Sequence, residues 1–318
     1  MTGNASGSDG VPGPAEESSS GADSRDSDVS IALAQGNLAG TLRVPEGAGP
    51  FPVVLIIAGS GPTDRNGNSP LLQGSNDSLK MIAVELGKAG IASLRYDKRG
   101  IAESASAAVS EESLRFDTYV ADAVALVKYL RTHGGFSRIG ILGHSEGALI
   151  GAAAAAMESV DCLVSVAGAG RPADVILKEQ LSASPAADRD RMYRIIDELK
   201  AGRLVPDVPR SLYALFRPSV QPYLISWFAY DPVAILDGLQ IPILVVQGTT
   251  DLQISVDDAR RLAPEGKGRE LVLVEGMNHV LKIAPLDRNR NLSAYSDPSL
   301  PLAPGFVSGV VAFLERNL

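Results

Sequence analysis

Six short runs in this chain are almost wholly apolar, interrupted only by Ser93 and Ser165: Val53 to Ala58, Ile91 to Leu94, Ile139 to Leu142, Leu163 to Val166, Ile243 to Val246 and Leu271 to Val274. A strand with water on one face alternates polar and apolar residues, so runs without that alternation imply strands covered on both faces. Between them lie stretches of helical periodicity at Leu79 to Ala89, Leu114 to Leu130, Ala148 to Met157, Val256 to Leu262 and Phe306 to Leu314. In the second of these, Phe116, Val120, Ala123, Val127 and Leu130 share one face. Ahead of the series, Ser30 to Leu33 and Leu38 to Val44 flank Gly36-Asn37 and read as an antiparallel hairpin. A hairpin followed by this alternation predicts an α/β fold, with a mostly parallel central sheet and helices on both faces.

With 318 residues, 45% of them hydrophobic, the chain can bury a large core. Residues 1–28 are the exception. Half of them are Gly, Ser or Pro, and only Met1 and Val11 are larger and more apolar than Ala, so a disordered tail is expected there. That tail holds six acids and one Arg, which accounts for five of the eight net negative charges. No cluster of Lys and Arg offsets them, and nucleic acid is excluded as a partner because phosphate binding needs a basic footprint. The single cysteine, Cys162, lies in an apolar run; it rules out an intrachain disulfide and reads as a small buried hydrophobe. No apolar stretch approaches the ~20 residues that span a bilayer, so no membrane span is expected. The tail also lacks the basic and apolar regions of a secretory signal. The expectation is a cytoplasmic protein, or an exported one whose signal is absent from this sequence.

One connection is too long for a βα crossover: roughly 70 residues, Pro172 to Gln240, lie between two of the apolar runs. Two helical patterns, Ala173 to Leu181 and Asp188 to Leu199, fall inside it, followed by a Pro-punctuated remainder. Residues 172–240 are therefore expected to form a helical cap inserted into a core made of 29–171 and 241–318. The insertion carries seven of the 16 Trp, Tyr and Phe residues. Most should hold it to the core, while Trp227 and Phe228 are expected to wall an apolar substrate pocket.

Directly after the run Ile139 to Leu142 comes Gly143-His144-Ser145-Glu146-Gly147, and directly after that a helix rich in Ala. A serine at the tip of a strand-to-helix turn has strained torsions, so the residues two positions away must be small for the turn to close. The turn exposes the hydroxyl and aims the positive end of the helix at it, which favours a developing oxyanion. Serine needs a base to take its proton, and the chain offers three histidines. His144 adjoins the serine and should leave the turn in another direction. His133 sits at a helix end, where a cation facing the dipole is the ordinary explanation. His279 remains, in a Gly-containing loop after the last predicted strand, and is the expected base. The carboxylate that orients it is expected to be Asp251, four residues past Gln247 at the carboxyl edge of the sheet. Its neighbours Asp257 and Asp258 fall on the next helix, where acids near the N-terminus need no further role.

The order serine, acid, histidine on this strand pattern resembles the α/β-hydrolase superfamily from about residue 30 onward. Ile57-Ala58-Gly59-Ser60-Gly61-Pro62-Thr63-Asp64-Arg65, Arg95-Tyr96-Asp97-Lys98-Arg99-Gly100 and Gly276-Met277-Asn278-His279 are similar to a bacterial group of capped carboxylesterase-like hydrolases. The resemblance implies an α/β-hydrolase fold with an oxyanion hole formed by the backbone N–H groups of Ser60 and Glu146. Two positions depart from the family pattern. Ala58-Gly59 stands where His-Gly is usual, and Ala102 replaces a glycine in a turn that favours positive φ. Asp97 and Arg99 are expected to be structural, pairing with each other to brace the loops near the site.

Together these features predict a serine hydrolase of carboxylic esters with small to medium acyl chains, its partner a small-molecule ester. An aminopeptidase or amidase of the same fold is the alternative, with Glu179, Asp197 or Glu198 as amine-binding candidates; a non-catalytic ligand-binding protein is another. No cofactor is expected, because there is neither a phosphate-binding loop nor a dinucleotide fingerprint. Three scattered histidines without zinc-ligand spacing imply no metal. Serine at the elbow also disfavours the epoxide hydrolases and haloalkane dehalogenases, which this fold resembles but which use aspartate there.

Overall fold

A computed structural model of the protein describes residues 24–133 and 135–318. Among these residues, eight strands form one sheet. They are β1 (Ser24–Ala32), β2 (Asn37–Pro45), β3 (Val53–Ile57), β4 (Ala92–Tyr96), β5 (Ile139–His144), β6 (Cys162–Val166), β7 (Ile243–Gly248) and β8 (Glu270–Val274). Their order across the sheet is β1-β2-β4-β3-β5-β6-β7-β8. β2 pairs antiparallel with both β1 and β4, and every other pairing is parallel. The helices are α1 (Ser78–Lys88), α2 (Phe116–His133), α3 (Glu146–Met157), α4 (Ala173–Gln180), α5 (Ala186–Lys200), α6 (Tyr213–Phe216), α7 (Gln221–Phe228), α8 (Pro232–Gly238), α9 (Val256–Leu262), α10 (Arg288–Ser293) and α11 (Pro304–Asn317). None among the described residues is long and apolar enough to cross a membrane.

The apolar runs of β3 and β7 follow from this layering, whereas β8, last in the sheet order among the described residues, leaves Leu273 exposed. In β3, Val53, Leu55 and Ile57 enter one core layer and Val54 and Ile56 the other. β7 divides the same way, Ile243 and Val245 against Leu244 and Val246. Helices α2, α3 and α9 close the first layer with Phe116, Ile150 and Leu262, and α1 and α11 close the second with Ile82, Phe306 and Phe313. Each such side chain contributes roughly 1.5–3 kcal/mol on burial, so both faces of a strand favour apolar residues. Because β3 and β5 to β8 are parallel, their carboxyl ends share one edge, and the residues just past β3, β5, β7 and β8 gather there.

The hairpin is longer than its apolar pattern implies. β1 begins at Ser24, so residues 24–28 of the expected tail are strand, while residues 1–23 lie outside the described part. Its pairing runs from Ser24 opposite Pro45 to Ala32 opposite Asn37, through main-chain groups. Asp26 adds ion pairs to Arg43 at 2.7 Å and Arg95 at 3.3 Å. Neither contribution needs apolar side chains.

Residues 172–240 form α4 to α8 between β6 and β7. Three of their rings gather on Phe116 of α2: Tyr223 at 6.3 Å, Trp227 at 6.2 Å and Tyr230 at 4.7 Å between centroids. Asp97 and Arg99 do not pair with each other, because closer partners arrive from other elements. Asp97 takes the backbone N–H of Arg65 at 2.8 Å and its guanidinium at 2.8 Å, and Arg99 takes Asp122 of α2 through two bonds of 3.0 and 2.5 Å. Ala102 sits at φ 43, in the left-handed region that costs a residue with a Cβ roughly 1–2 kcal/mol.

Candidate active site

β5 ends at His144 and α3 begins at Glu146, which leaves Ser145 alone at the turn with φ 56 and ψ −120. Such a backbone is strained by on the order of 1–3 kcal/mol. Its surroundings hold it: the Ser145 N–H donates to the Val166 carbonyl at 2.8 Å, and its own carbonyl accepts from Ala148 at 3.0 Å. Glycine is required on either side. A Cβ at Gly143 would stand 2.1 Å from the carbonyl oxygen of Gly147, and one at Gly147 would stand 2.3 Å from that of Ile57.

Ser145 borders a cavity of about 320 Å³. Its walls are mostly apolar, with Leu149 from α3 and Ile176, Leu215, Phe216, Leu224 and Trp227 from the 172–240 segment. Phe228, expected beside Trp227, does not line it and is fully buried in the core. Neighbours on a helix point about 100° apart, so the turn that aims Trp227 at the cavity aims Phe228 into the packed interior. Ser60 and Glu146 also line the cavity next to Ser145. Among the described residues, neither of their backbone N–H groups has an acceptor within the protein.

Past β7 and β8, Asp251 and His279 meet. Nδ1 of His279 lies 2.8 Å from Oδ2 of Asp251, with both side chains buried. Asp251 Oδ1 accepts from the backbone N–H groups of Gln253 at 2.7 Å and Ile254 at 3.1 Å, and the Gln247 side chain donates to Oδ2 at 3.1 Å. Burial alone would raise the Asp251 carboxyl; His279 and the two backbone donors outweigh it and hold it below the usual range. An ionised carboxylate can only accept, so Nδ1 of His279 carries the hydrogen and Nε2 is left free to accept one. Asp258 is committed elsewhere, to a two-bond pair with Arg171 at 2.8 Å each.

The structure thus brings Asp251 and His279 into contact and sets them beside the serine turn. His144, the residue before Ser145, has its ring 4.9 Å from that of His279 and tilted 52° to it, and its Nε2 donates to the His279 carbonyl at 2.8 Å. No hydrogen bond joins the Ser145 hydroxyl to His279 among the described residues. His133 stands apart, stacked on Tyr129 at the exposed end of α2. Gln247 and Lys98 are buried polar residues here to which the sequence alone assigns no role, and His144 turns away from Ser145 as its place in the turn implies. Gln247 carried a signal, an amide at the end of an apolar strand, but Lys98 was masked by the charges on either side of it.

Burial, reinforced by the nearby His279, pushes the His144 imidazole down to about 4. A histidine unfolded in water titrates near ~6.5. Between those values the unfolded chain binds the proton and the folded chain does not, so stability is full above the upper value and falls as the pH drops toward 4. The expected loss is about 3 kcal/mol. Urea unfolding of the native protein and of His144→Gln at pH 7 and 4 tests this: the variant should lose correspondingly less, and equal losses would remove His144 as the cause.

Residues 40–293 match the model of the alpha/beta hydrolase family. Esterase EstD of Thermotoga maritima is 31% identical over 252 residues, covering 77% of this chain and 58% of that protein, so the chain spans a little over half the length of that relative. Among solved structures, Est1E from Butyrivibrio proteoclasticus, with ferulic acid bound, superposes with a TM-score of 0.60 at 18% identity, over 91% of this chain and 98% of that one. An esterase from Pyrococcus furiosus gives 0.57 at 17%, over 96% and 95%.

Proposed function

Because the chain belongs to the alpha/beta hydrolase family, we propose that it hydrolyses carboxylic esters of small to medium acyl chain through an acyl-enzyme on Ser145. The observation that carries this reading is the His279–Asp251 pair, at 2.8 Å, beside a strained serine that opens on an apolar cavity. Ser145 attacks the ester carbonyl as its proton passes to Nε2 of His279, and the carbonyl electrons collect on oxygen. The N–H groups of Ser60 and Glu146 receive that oxyanion. Collapse expels the alkoxide, which takes the proton from His279. Water then repeats the sequence with His279 as base, releasing the acid and restoring Ser145. In this reading residues 172–240 act as a cap that selects the acyl group. The name of the related Esterase EstD agrees with an ester substrate.

The aminopeptidase alternative has less support. Each candidate carboxylate already holds a cation: Glu179 pairs with Arg171, Asp197 with Lys178 and Glu198 with Arg203. Labelling of Ser145 by a fluorophosphonate, together with turnover of p-nitrophenyl esters across acyl lengths and of matching anilides, tests the reading. Labelling with ester turnover supports it; absence of both would leave a binding protein, and faster anilide cleavage an amidase. Trp227→Leu should move the acyl optimum toward longer chains, in graded steps of ~1 to 3 kcal/mol per methylene. An unchanged chain-length profile would make Trp227 a packing residue only.

A further inference from the structure

Beneath the serine turn lies a charged group that the mechanism above does not use. Lys98, just past β4, is 1% exposed, and the side chain of Glu146, its partner at 3.1 Å, is 4% exposed. A buried ion pair of this kind is often no more stable than an apolar replacement of the same volume, so stability alone is a weak account of it. Its other contacts suggest a different one. Lys98 Nζ donates to the carbonyl oxygen of Gly59 at 2.5 Å, and the hydroxyl of Tyr223 donates to Oε1 of Glu146 at 2.5 Å.

The Gly59 carbonyl and the Ser60 N–H belong to one peptide group. In a trans peptide the two point in opposite directions. An ammonium that holds the carbonyl from within the core therefore turns the Ser60 N–H outward, toward the cavity that Ser60 lines beside Ser145. A charge on the carbonyl also polarises the peptide and strengthens its N–H as a donor. Glu146, whose carboxylate balances Lys98, is the residue whose own backbone N–H supplies the second proposed donor. One buried ammonium thus ties together both arms of the oxyanion site. Tyr223 extends the connection to α7, where Trp227, one turn further on, walls the cavity.

Resting on the ester-hydrolase reading, we propose that Lys98 is a positioning residue for the oxyanion hole, with Glu146 as its counter-charge and Tyr223 as the link from the acyl-binding segment. In its absence the Ser60 N–H loses the anchor that aims it, while Ser145, His279 and Asp251 keep theirs.

The test removes both charges together, so that neither is left buried alone, in the double variant Lys98→Met/Glu146→Gln. Loss of one oxyanion donor sets the scale, so kcat for a p-nitrophenyl ester should fall by on the order of 10²-fold with little change in KM. Affinity for phenylboronic acid should fall by a similar factor. That probe bonds the Ser145 oxygen to boron as the proton passes to His279, and the resulting tetrahedral boronate anion places one of its hydroxyl oxygens in the hole. A role in folding alone would lower the melting temperature without a matched loss of kcat and boronate affinity. Tyr223→Phe, which keeps the ion pair, should move both quantities the same way by a smaller factor, and it decides the matter if the double variant does not fold. Native kcat and native boronate affinity in either folded variant would overturn the proposal and leave the hydrolase reading standing. If the native protein itself neither turns over esters nor labels at Ser145, the hydrolase reading falls first.

Discussion

Ser145→Ala should lower kcat for ester hydrolysis by on the order of 10⁶-fold and leave the fold intact. The hydroxyl has no hydrogen-bond partner among the described residues, so its removal orphans nothing. Alanine keeps the Cβ, and with it the packing and the backbone at φ 56 that the neighbouring glycines accommodate. What remains is the contribution of binding and of the oxyanion donors, roughly 10³ to 10⁴ over water. Ester turnover and melting temperature measured on one preparation settle it. A variant that retains a few per cent of native activity would move the nucleophile elsewhere.

Asp251→Asn should cost on the order of 10⁴-fold in kcat, for a reason visible in the hydrogen bonds. Asp251 Oδ1 is claimed by the N–H groups of Gln253 and Ile254, so the asparagine oxygen must occupy that position. Its NH2 group then faces both the Gln247 amide and Nδ1 of His279, where the carboxylate accepted from each. His279 can meet a donor at Nδ1 only by moving its hydrogen to Nε2, the atom that has to accept the serine proton. The expected signature is a large fall in kcat, slow fluorophosphonate labelling and a nearly native KM. A loss smaller than tenfold would point to a different acid.

The strands of the core were legible because burial on both faces leaves a mark at every residue, as in Val53–Ile57 and Ile243–Val246. The serine turn was legible because close approach to carbonyl oxygens allows only glycine at 143 and 147. What escaped were features settled by partners remote in sequence. The separate counter-ions of Asp97 and Arg99 come from the loop after β3 and from α2, and nothing in their own segment names them. Trp227 and Phe228 are adjacent apolar rings whose division between cavity and core depends on the rotation of an eight-residue helix. α6 and α8 are too short, at four and seven residues, to display a period. Lys98 carries no such mark, because a lysine between two charged residues looks like any solvated one and only burial distinguishes it.

The polar half of β1 has an effect on what the sheet can join. Among the described residues β1 is an edge strand, and Arg25, Asp26, Ser27 and Asp28 on it are exposed. An open ladder of main-chain donors and acceptors invites another chain to extend the sheet. A newcomer along β1 would have to strip water from those charged side chains, a cost that main-chain pairing at an exposed edge does not recover. The stretch that looks least like a strand in composition therefore guards the sheet against unplanned growth on that side.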